Sequence, residues 1–319
     1  MEIGVGLPGH VTGVEERTLV TWARRAEERG FASLIASDRL AWSTPEPLIT
    51  LAAAAGATER IRLVTSVLLA PLHTNPALFA KAAATLDRIA GAGRLHLGLA
   101  PGAREDDYRA SHLDFSTRGR ALDTLVERVT AIWRGEEEVG PAPVTPGGPP
   151  LWFGGTSKAT LRRIASHGTG WIAGTGGDID EFTTFATRLH SRWKEAGRQG
   201  RPRTRATAMF ALGGHAHRSL ARAVNDYYAF AGPDYVRTVI DTAATTADVI
   251  HATVTAHEAA GLDELVFVGN HTDPEQIDLL ADILGDKLTS PNSTTTAPDR
   301  SHRRNQDAER VEPLHRPLP

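Results

Sequence analysis

The sequence predicts an α/β protein folded as a single (β/α)8, or TIM, barrel. Short apolar runs of strand length alternate with amphipathic helical segments along the chain, and the alternation repeats eight times. Strands separated by helices pair in parallel through right-handed crossovers, and eight such units close the sheet and leave no edge. An open dinucleotide-binding sheet is the competing topology. Its glycine fingerprint is poor here, because Gly4-Val5-Gly6-Leu7-Pro8-Gly9 puts a proline and a long loop where the first helix should open.

Residues 3–7 read as the first strand, closed by Pro8-Gly9. Residues 14–29 follow as a helix with Leu19, Trp22, Ala23 and Ala26 at helical spacing and Gly30 as its stop signal. Strands two to four fall at 32–37, 61–69 and 94–100, with helices at 46–58, 75–90 and 116–134. Pro76 suits a first helical turn, and Leu122, Leu125, Val126, Val129 and Trp133 form an apolar stripe. Residues 136–149, with three glutamates among many Pro and Gly, read as an irregular insert. Strands five to eight fall at 151–153, 171–173, 206–212 and 265–268. Their helices span 158–166, 180–195, 219–260 in pieces broken near Gly232-Pro233, and 274–284. The barrel thus occupies residues 1–287. The tail, 288–319, is polar and almost free of apolar residues, so it is expected to be disordered.

Composition narrows the function. A net charge of −3 gives no basic excess for nucleic acid or an anionic membrane surface. With 0 cysteines the chain has no disulfide, thiolate metal site or cysteine nucleophile. The start, MEIGVGLPGHV, lacks a basic segment and an apolar run, and no stretch reaches roughly 18 apolar residues, so a cytoplasmic protein is expected.

In such a barrel the chemistry sits at the C-terminal ends of the strands. Phe153-Gly154-Gly155-Thr156-Ser157-Lys158 ends a strand in two glycines and opens a helix with two hydroxyls. Glycines admit close backbone approach, and free helix N–H groups attract a phosphate; a plain N-cap is the bland alternative. The nearby Gly174-Thr175-Gly176-Gly177 strengthens the phosphate reading, because late βα-loops commonly share one phosphate. Ser37-Asp38-Arg39 follows strand two as either a ligand-binding pair or a structural ion pair. Trp42 and Trp152 read first as packing surfaces. His10, His73, His215 and His217 fall in top-face loops, whereas His96 lies within a strand. His215-Ala216-His217 has no acidic neighbour and no HExxH occurs, so no metal site is expected. No GxSxG elbow occurs to support a hydrolase. Arg104-Glu105-Asp106-Asp107-Tyr108 is a charge run of the kind that usually faces solvent, although Arg104 or Tyr108 could reach inward.

Several blocks together resemble the bacterial luciferase-like monooxygenase superfamily, which includes oxidoreductases that use the deazaflavin coenzyme F420. They are Ile3–Pro8, Ala26–Phe31 leading to Ser37-Asp38, Thr58–Leu68 reaching Asn75-Pro76, Gly93–Gly102, Arg118-Gly119-Arg120 and Phe153-Gly154-Gly155, in family order. The resemblance covers roughly residues 1–285. It implies a barrel whose top face holds FMN or coenzyme F420. It implies a non-proline cis peptide at Ser66-Val67 behind the ring system, a phosphate site at Gly154, Gly155 and Thr156, and Asp38 beside the ring. Sugar-phosphate dehydrogenases of the family carry a base histidine after that aspartate; this chain has Arg39, so His10 or His73 would have to serve. A small-molecule substrate, a homodimer through the second and third helices, and a separate flavin reductase for FMN chemistry are also implied.

The leading expectation is a flavin- or F420-dependent oxidoreductase, foremost a monooxygenase. An F420-dependent reductase or dehydrogenase without oxygen chemistry is the alternative. A phosphate-handling lyase or isomerase would need a strand-end lysine or glutamate base, and no lysine lies in the candidate loops. A non-catalytic flavin-binding partner subunit is the reading from another class.

Overall fold

The computed structural model describes residues 1–175 and 178–288. Gly176, Gly177 and the tail after Leu288 lie outside the described residues, and with them the expectation of disorder. Leu288 itself packs partly buried against the core.

The strands are β1 (Glu2–Gly6), β2 (Ser33–Ala36), β3 (Arg62–Leu69), β4 (Leu95–Ala100), β5 (Leu151–Gly154), β6 (Gly170–Ile172), β7 (Arg203–Phe210) and β8 (Glu264–Gly269). The helices from β1 to β5 are α1 (Glu16–Glu28), α2 (Pro47–Ala57), α3 (Pro76–Ala90), α4 (Glu105–Ala110) and α5 (Arg118–Trp133). After β5 come α6 (Lys158–His167), α7 (Ile179–Glu195), α8 (Ala216–Tyr228), α9 (Pro233–Asp241), α10 (Ala247–Ala259) and α11 (Glu275–Leu284). The sheet is a closed barrel in the order β1 to β8. Parallel pairing of β8 with β1, from Glu2↔Glu264 to Gly6↔Val268, makes the closure. The alternation of periods in the sequence therefore reports the architecture, with differences at three places.

The charge run after β4 is α4. Six residues are too few to show a helical period, and its acidic first turn suits the helix N-terminus. Tyr108 reaches inward, the alternative the sequence left open, and Asp107 turns inward with it against the expectation of a solvated face; each is 1% exposed. The long α5 opens at Arg118 rather than Ser116, because Asp114 caps a single 3-10 turn over Phe115–Thr117 by accepting from the Ser116 N–H at 2.8 Å. β7 begins at Arg203, three residues before its apolar stretch, because its first residues build a polar floor.

That floor closes the N-terminal end of the barrel. Arg205 donates Nε and Nη2 to Glu264 Oε2 at 2.9 and 2.6 Å, and Ser33 Oγ donates to Glu264 Oε1. Arg62 and Arg203 share Glu2 at 2.8 and 2.7 Å. The Arg205 guanidinium lies 4.3 Å from the Trp152 ring centre, and the His96 ring stacks on the same indole at 5.9 Å. Burial would raise the Glu264 carboxyl, but Arg205 and Arg62 hold it below its usual range. Burial, helped by Arg205, pushes His96 down to about 3, so it is a neutral packing residue. This network gathers the buried charge at the N-terminal end of the barrel into ion pairs. Among the described residues no helix is long and apolar enough to cross a membrane.

Candidate active site at the mouth of the barrel

Two strand ends shape one wall of the mouth. The β3–β4 register shifts between Thr65 and Leu68, and Ser66-Val67 in that gap is a cis peptide bond, as the family resemblance implies. Asp38 pins the strand beyond the bulge: its Oδ2 accepts from the Leu69 N–H at 2.8 Å. The bulge drives Val67 against β5, so that a Cβ on Gly154 would come within 3.0 Å of Val67 Cγ1. Glycine at 154 lets the two strand ends meet without displacing Val67.

The chain then turns at Gly155 with φ +97, a conformation that only glycine adopts at little cost. Trp171 Nε1 donates to the Gly155 carbonyl at 2.9 Å and holds the turn from β6. Ser157 caps α6 by accepting from the Thr160 N–H at 3.1 Å. The N–H groups of Gly155, Thr156 and Ser157 find no acceptor among the described residues and stand at the helix N-terminus. Exposed, unpaired amides at the positive end of a helix fit an anionic group.

The opposite wall comes from β7, β8 and β1. His10 Nε2 and Asn270 Oδ1 are 3.0 Å apart. Asn270 Nδ2 lies 2.9 Å from the Val268 carbonyl and 3.4 Å from that of Phe210, so the amide can only face His10 with its oxygen. His10 Nε2 therefore carries the proton and donates it, which leaves Nδ1 as an acceptor. Burial lowers the His10 pKa, with the Asn270 hydrogen bond opposing, so the ring is neutral at pH 7. Tyr227 and Tyr228 of α8 roof this wall.

These walls enclose a cavity of about 370 Å³. Of the residues expected to hold a cofactor, Ser66, Val67, Gly154, Gly155, Thr156, Gly174 and Thr175 all line it, and so does His10. Three other candidates, Asp38, Arg39 and His73, stand outside that lining. Asp38 is not part of the lining; its carboxylate is spent on the Leu69 N–H, and burial raises its pKa to about 6. Arg39 is buried outside the lining and donates Nε to Asp107 Oδ2 at 2.8 Å and Nη2 to Asp106 at 3.3 Å, which leaves Nη1 without a partner among the described residues. The Asp107 Oδ1 caps the same loop through Leu40 N and Ala41 N at 3.0 and 2.7 Å. The structural ion pair is real, but its acid comes from α4 rather than from Asp38. His73 lines a separate cavity with Tyr108 and Arg118 and packs 5.0 Å from the Phe79 ring. His215 and His217 are exposed. Among the described residues no cluster of three or more potential metal ligands forms.

Asn270, Tyr227 and Tyr228 were not singled out from the sequence. Asn270 was readable only as a polar residue at a strand end. The tyrosines carried a faint signal: three of the 4 in the chain fall between 227 and 235.

A family model described as luciferase-like monooxygenase matches residues 1–238, and the chain belongs to that family. An uncharacterized protein of Mycobacterium tuberculosis is 30% identical over 203 residues, covering 59% of this chain and 70% of that one. The F420-dependent glucose-6-phosphate dehydrogenase of Nocardia farcinica is 31% identical over 188 residues, 52% of this chain and 56% of that enzyme, so the match spans little more than half its length. Among solved structures, the oxygenating constituent of 3,6-diketocamphane monooxygenase from Pseudomonas putida, in complex with FMN, superposes with a TM-score of 0.70 at 18% identity over 91% of this chain and 98% of that one. At that identity the likeness is one of fold.

The raised Asp38 pKa has a measurable consequence. The folded chain holds this proton up to about pH 6, whereas an unfolded Asp releases it near roughly 3.9. Between those values the native state binds more protons, so this group's contribution to stability falls as pH rises and is greatest below the unfolded pKa. Asp38→Asn removes the titration and keeps an acceptor for Leu69. Equilibrium denaturation across pH 4–7 should show wild type losing stability relative to the variant as pH rises. Parallel curves would mean that Asp38 titrates normally.

Proposed function

We propose that this chain is an oxidoreductase that seats FMN or coenzyme F420 across the mouth cavity and acts on a small organic substrate. Monooxygenation with reduced FMN is the leading reaction. One observation carries the reading: the open amide turn at Gly155–Ser157 and the Ser66-Val67 bulge meet in a single cavity through the Gly154–Val67 approach. A phosphate seat and a flat backing surface are what a flavin-type cofactor needs, and the residues present fit it. The Nocardia relative is F420-dependent and the Pseudomonas fold relative holds FMN, which supports either cofactor.

Such a cofactor supplies hydride transfer or, as reduced FMN, oxygen activation. The protein does the rest. Gly155, Thr156 and Ser157 bind the anionic end through backbone N–H groups, Thr156 and Thr175 add hydroxyls, and Ser66-Val67 supports the ring. His10, neutral and held by Asn270, accepts or returns a proton at Nδ1. Tyr227 and Tyr228 keep water from the far wall. Use of FMN would draw on a flavin reductase for the reduced cofactor. Dehydrogenation or reduction with F420 is the second reading, favoured by the unprotonated acceptor on His10. A cytoplasmic location would supply the reduced cofactor.

A homodimer through α2 and α3 belongs to the same proposal. The α2 segment, PLITLAAAAGA, has no charged residue, and Ile49 is 72% exposed. Leu78 and Ile89 of the adjoining α3 are 63% and 54% exposed. A stripe of this kind marks an association surface, and a second copy offers a matching one.

Separate fluorescence titrations with FMN and F420 test the cofactor. Wild type should bind at least one. Gly155→Val should weaken binding at least about tenfold, because the side chain adds strain at positive φ and crowds Thr160 Oγ1 at 3.3 Å. Oxygen uptake during turnover marks the monooxygenase, and turnover without it marks the F420 reading. Failure to bind either cofactor contradicts both. For assembly, light scattering should give twice the chain mass, and Ile49→Glu with Leu78→Glu should give the monomer. A wild-type monomer would exclude the dimer.

A further inference from the structure

We propose that the β7–β8–β1 side of the mouth takes an uncharged ring compound that presents a hydroxyl group to Nδ1 of His10. This assignment rests on the cofactor reading above and names the substrate class of the same site.

The first observation is electrostatic. No Asp, Glu, Lys or Arg is among the described residues lining the cavity. His10, the one titratable group on that wall with an ordinary pKa near neutrality, is kept uncharged by burial. The Arg39 guanidinium pairs with Asp106 and Asp107 and lies 5.6 Å from the centre of the Tyr227 ring, which stands between it and the cavity lining. On the β7–β8–β1 arc, away from the Gly155–Ser157 amides, a phosphate or carboxylate would be buried without a counter-ion or a row of free amides, which is strongly unfavourable. With the amide seat taken by the cofactor, this arc disfavours a sugar phosphate, although a relative bears the name of a sugar-phosphate dehydrogenase.

The second observation is shape. The cofactor-facing residues come from β3 to β6, which are consecutive around the barrel, so β7, β8 and β1 form the facing arc. Leu7, Met209 and Val268 give that arc an apolar surface. Its roof is a cluster of rings held edge to face. Tyr227 lies 5.2 Å from His10, 5.7 Å from Trp42 and 4.9 Å from Tyr228, at interplanar angles of 66°, 86° and 85°. Trp42 Nε1 donates to the His10 carbonyl at 3.0 Å, which ties the cluster to β1. A fixed aromatic roof over an apolar floor selects a flat ring.

The third observation is polarity. Asn270 fixes the His10 proton on Nε2, and Nδ1 has no partner among the described residues. Its lone pair accepts a hydrogen bond, so the complementary substrate group is a donor. A phenol or a cyclic alcohol meets all three conditions. Asn270 is a positioning residue in this scheme, because it sets which ring nitrogen can accept.

The full chain, with and without saturating cofactor, is titrated by calorimetry at neutral pH with 2-naphthol, 2-methoxynaphthalene and 2-naphthoate, and with glucose 6-phosphate. Binding of 2-naphthol about tenfold tighter than the methoxy compound, with the two anions weaker still, supports the proposal. His10→Ala should abolish the preference for naphthol over its methyl ether while naphthalene-ring binding remains. Tyr227→Ala should weaken both neutral ligands alike. Asn270→Ala should reduce the naphthol preference and shift its pH dependence, which a purely structural role would not do. Tighter binding of either anion to the cofactor-loaded chain, or an unchanged preference in His10→Ala, overturns the proposal. Cofactor binding is read separately from flavin or deazaflavin fluorescence. If cofactor binds and naphthol shows no preference, the substrate class fails and the oxidoreductase reading stands. If no cofactor binds, the oxidoreductase reading fails whatever naphthol does.

Discussion

The mouth of this barrel depends on one close approach, the Val67 side chain against the backbone of Gly154. A β-carbon at 154 would come to 3.0 Å from Val67 Cγ1, so any larger residue there would push Val67 back by a few tenths of an ångström. On one side of it the third strand bulges at Ser66-Val67, with Asp38 pinning the strand just beyond. On the other, β5 breaks into the Gly155 turn and exposes the first amides of α6. A flat backing surface and an anion seat are thereby placed in one cavity by packing, before any ligand is present.

Charge is distributed to protect that arrangement. The ionic network of Arg205, Glu264, Arg62 and Glu2 sits at the floor, where each partner is paired. A second network, Arg39 with Asp106 and Asp107, braces the loop after β2 from outside the cavity. Between them the mouth contains hydroxyls, amides, a neutral imidazole and aromatic faces. An uncharged, partly enclosed site strengthens each hydrogen bond made within it. It also leaves discrimination between substrates to shape and to single hydrogen bonds.

Local features were legible in the sequence and long-range partners were not. Alternating periods gave the strands and helices, since each segment's burial is written in its own residues. Gly154, Gly155 and Thr156 were readable because a glycine pair at a strand end before a helix has a local mechanical meaning. The cis bond at Ser66-Val67 was legible only through family resemblance; no local propensity marks it. Arg39 was misread because its partner Asp107 lies 68 positions away, inside a helix too short to show a period. His10 was noticed but could not be given a tautomer, because Asn270 is 260 positions distant and meets it only on barrel closure. Tyr227 and Tyr228 read as helix, and nothing in their neighbours says that the helix arches over the mouth.

Amide hydrogen exchange of the segment 151–160, with and without cofactor, examines the anion seat itself. The N–H groups of Gly155, Thr156 and Ser157 have no partner among the described residues, so they should exchange quickly in the free protein. Addition of FMN or F420 at a binding concentration should slow them by an order of magnitude or more, roughly the effect of one new hydrogen bond each. Cofactor binding with unchanged exchange at these three amides would contradict the seat, and the placement of the cofactor in this mouth with it.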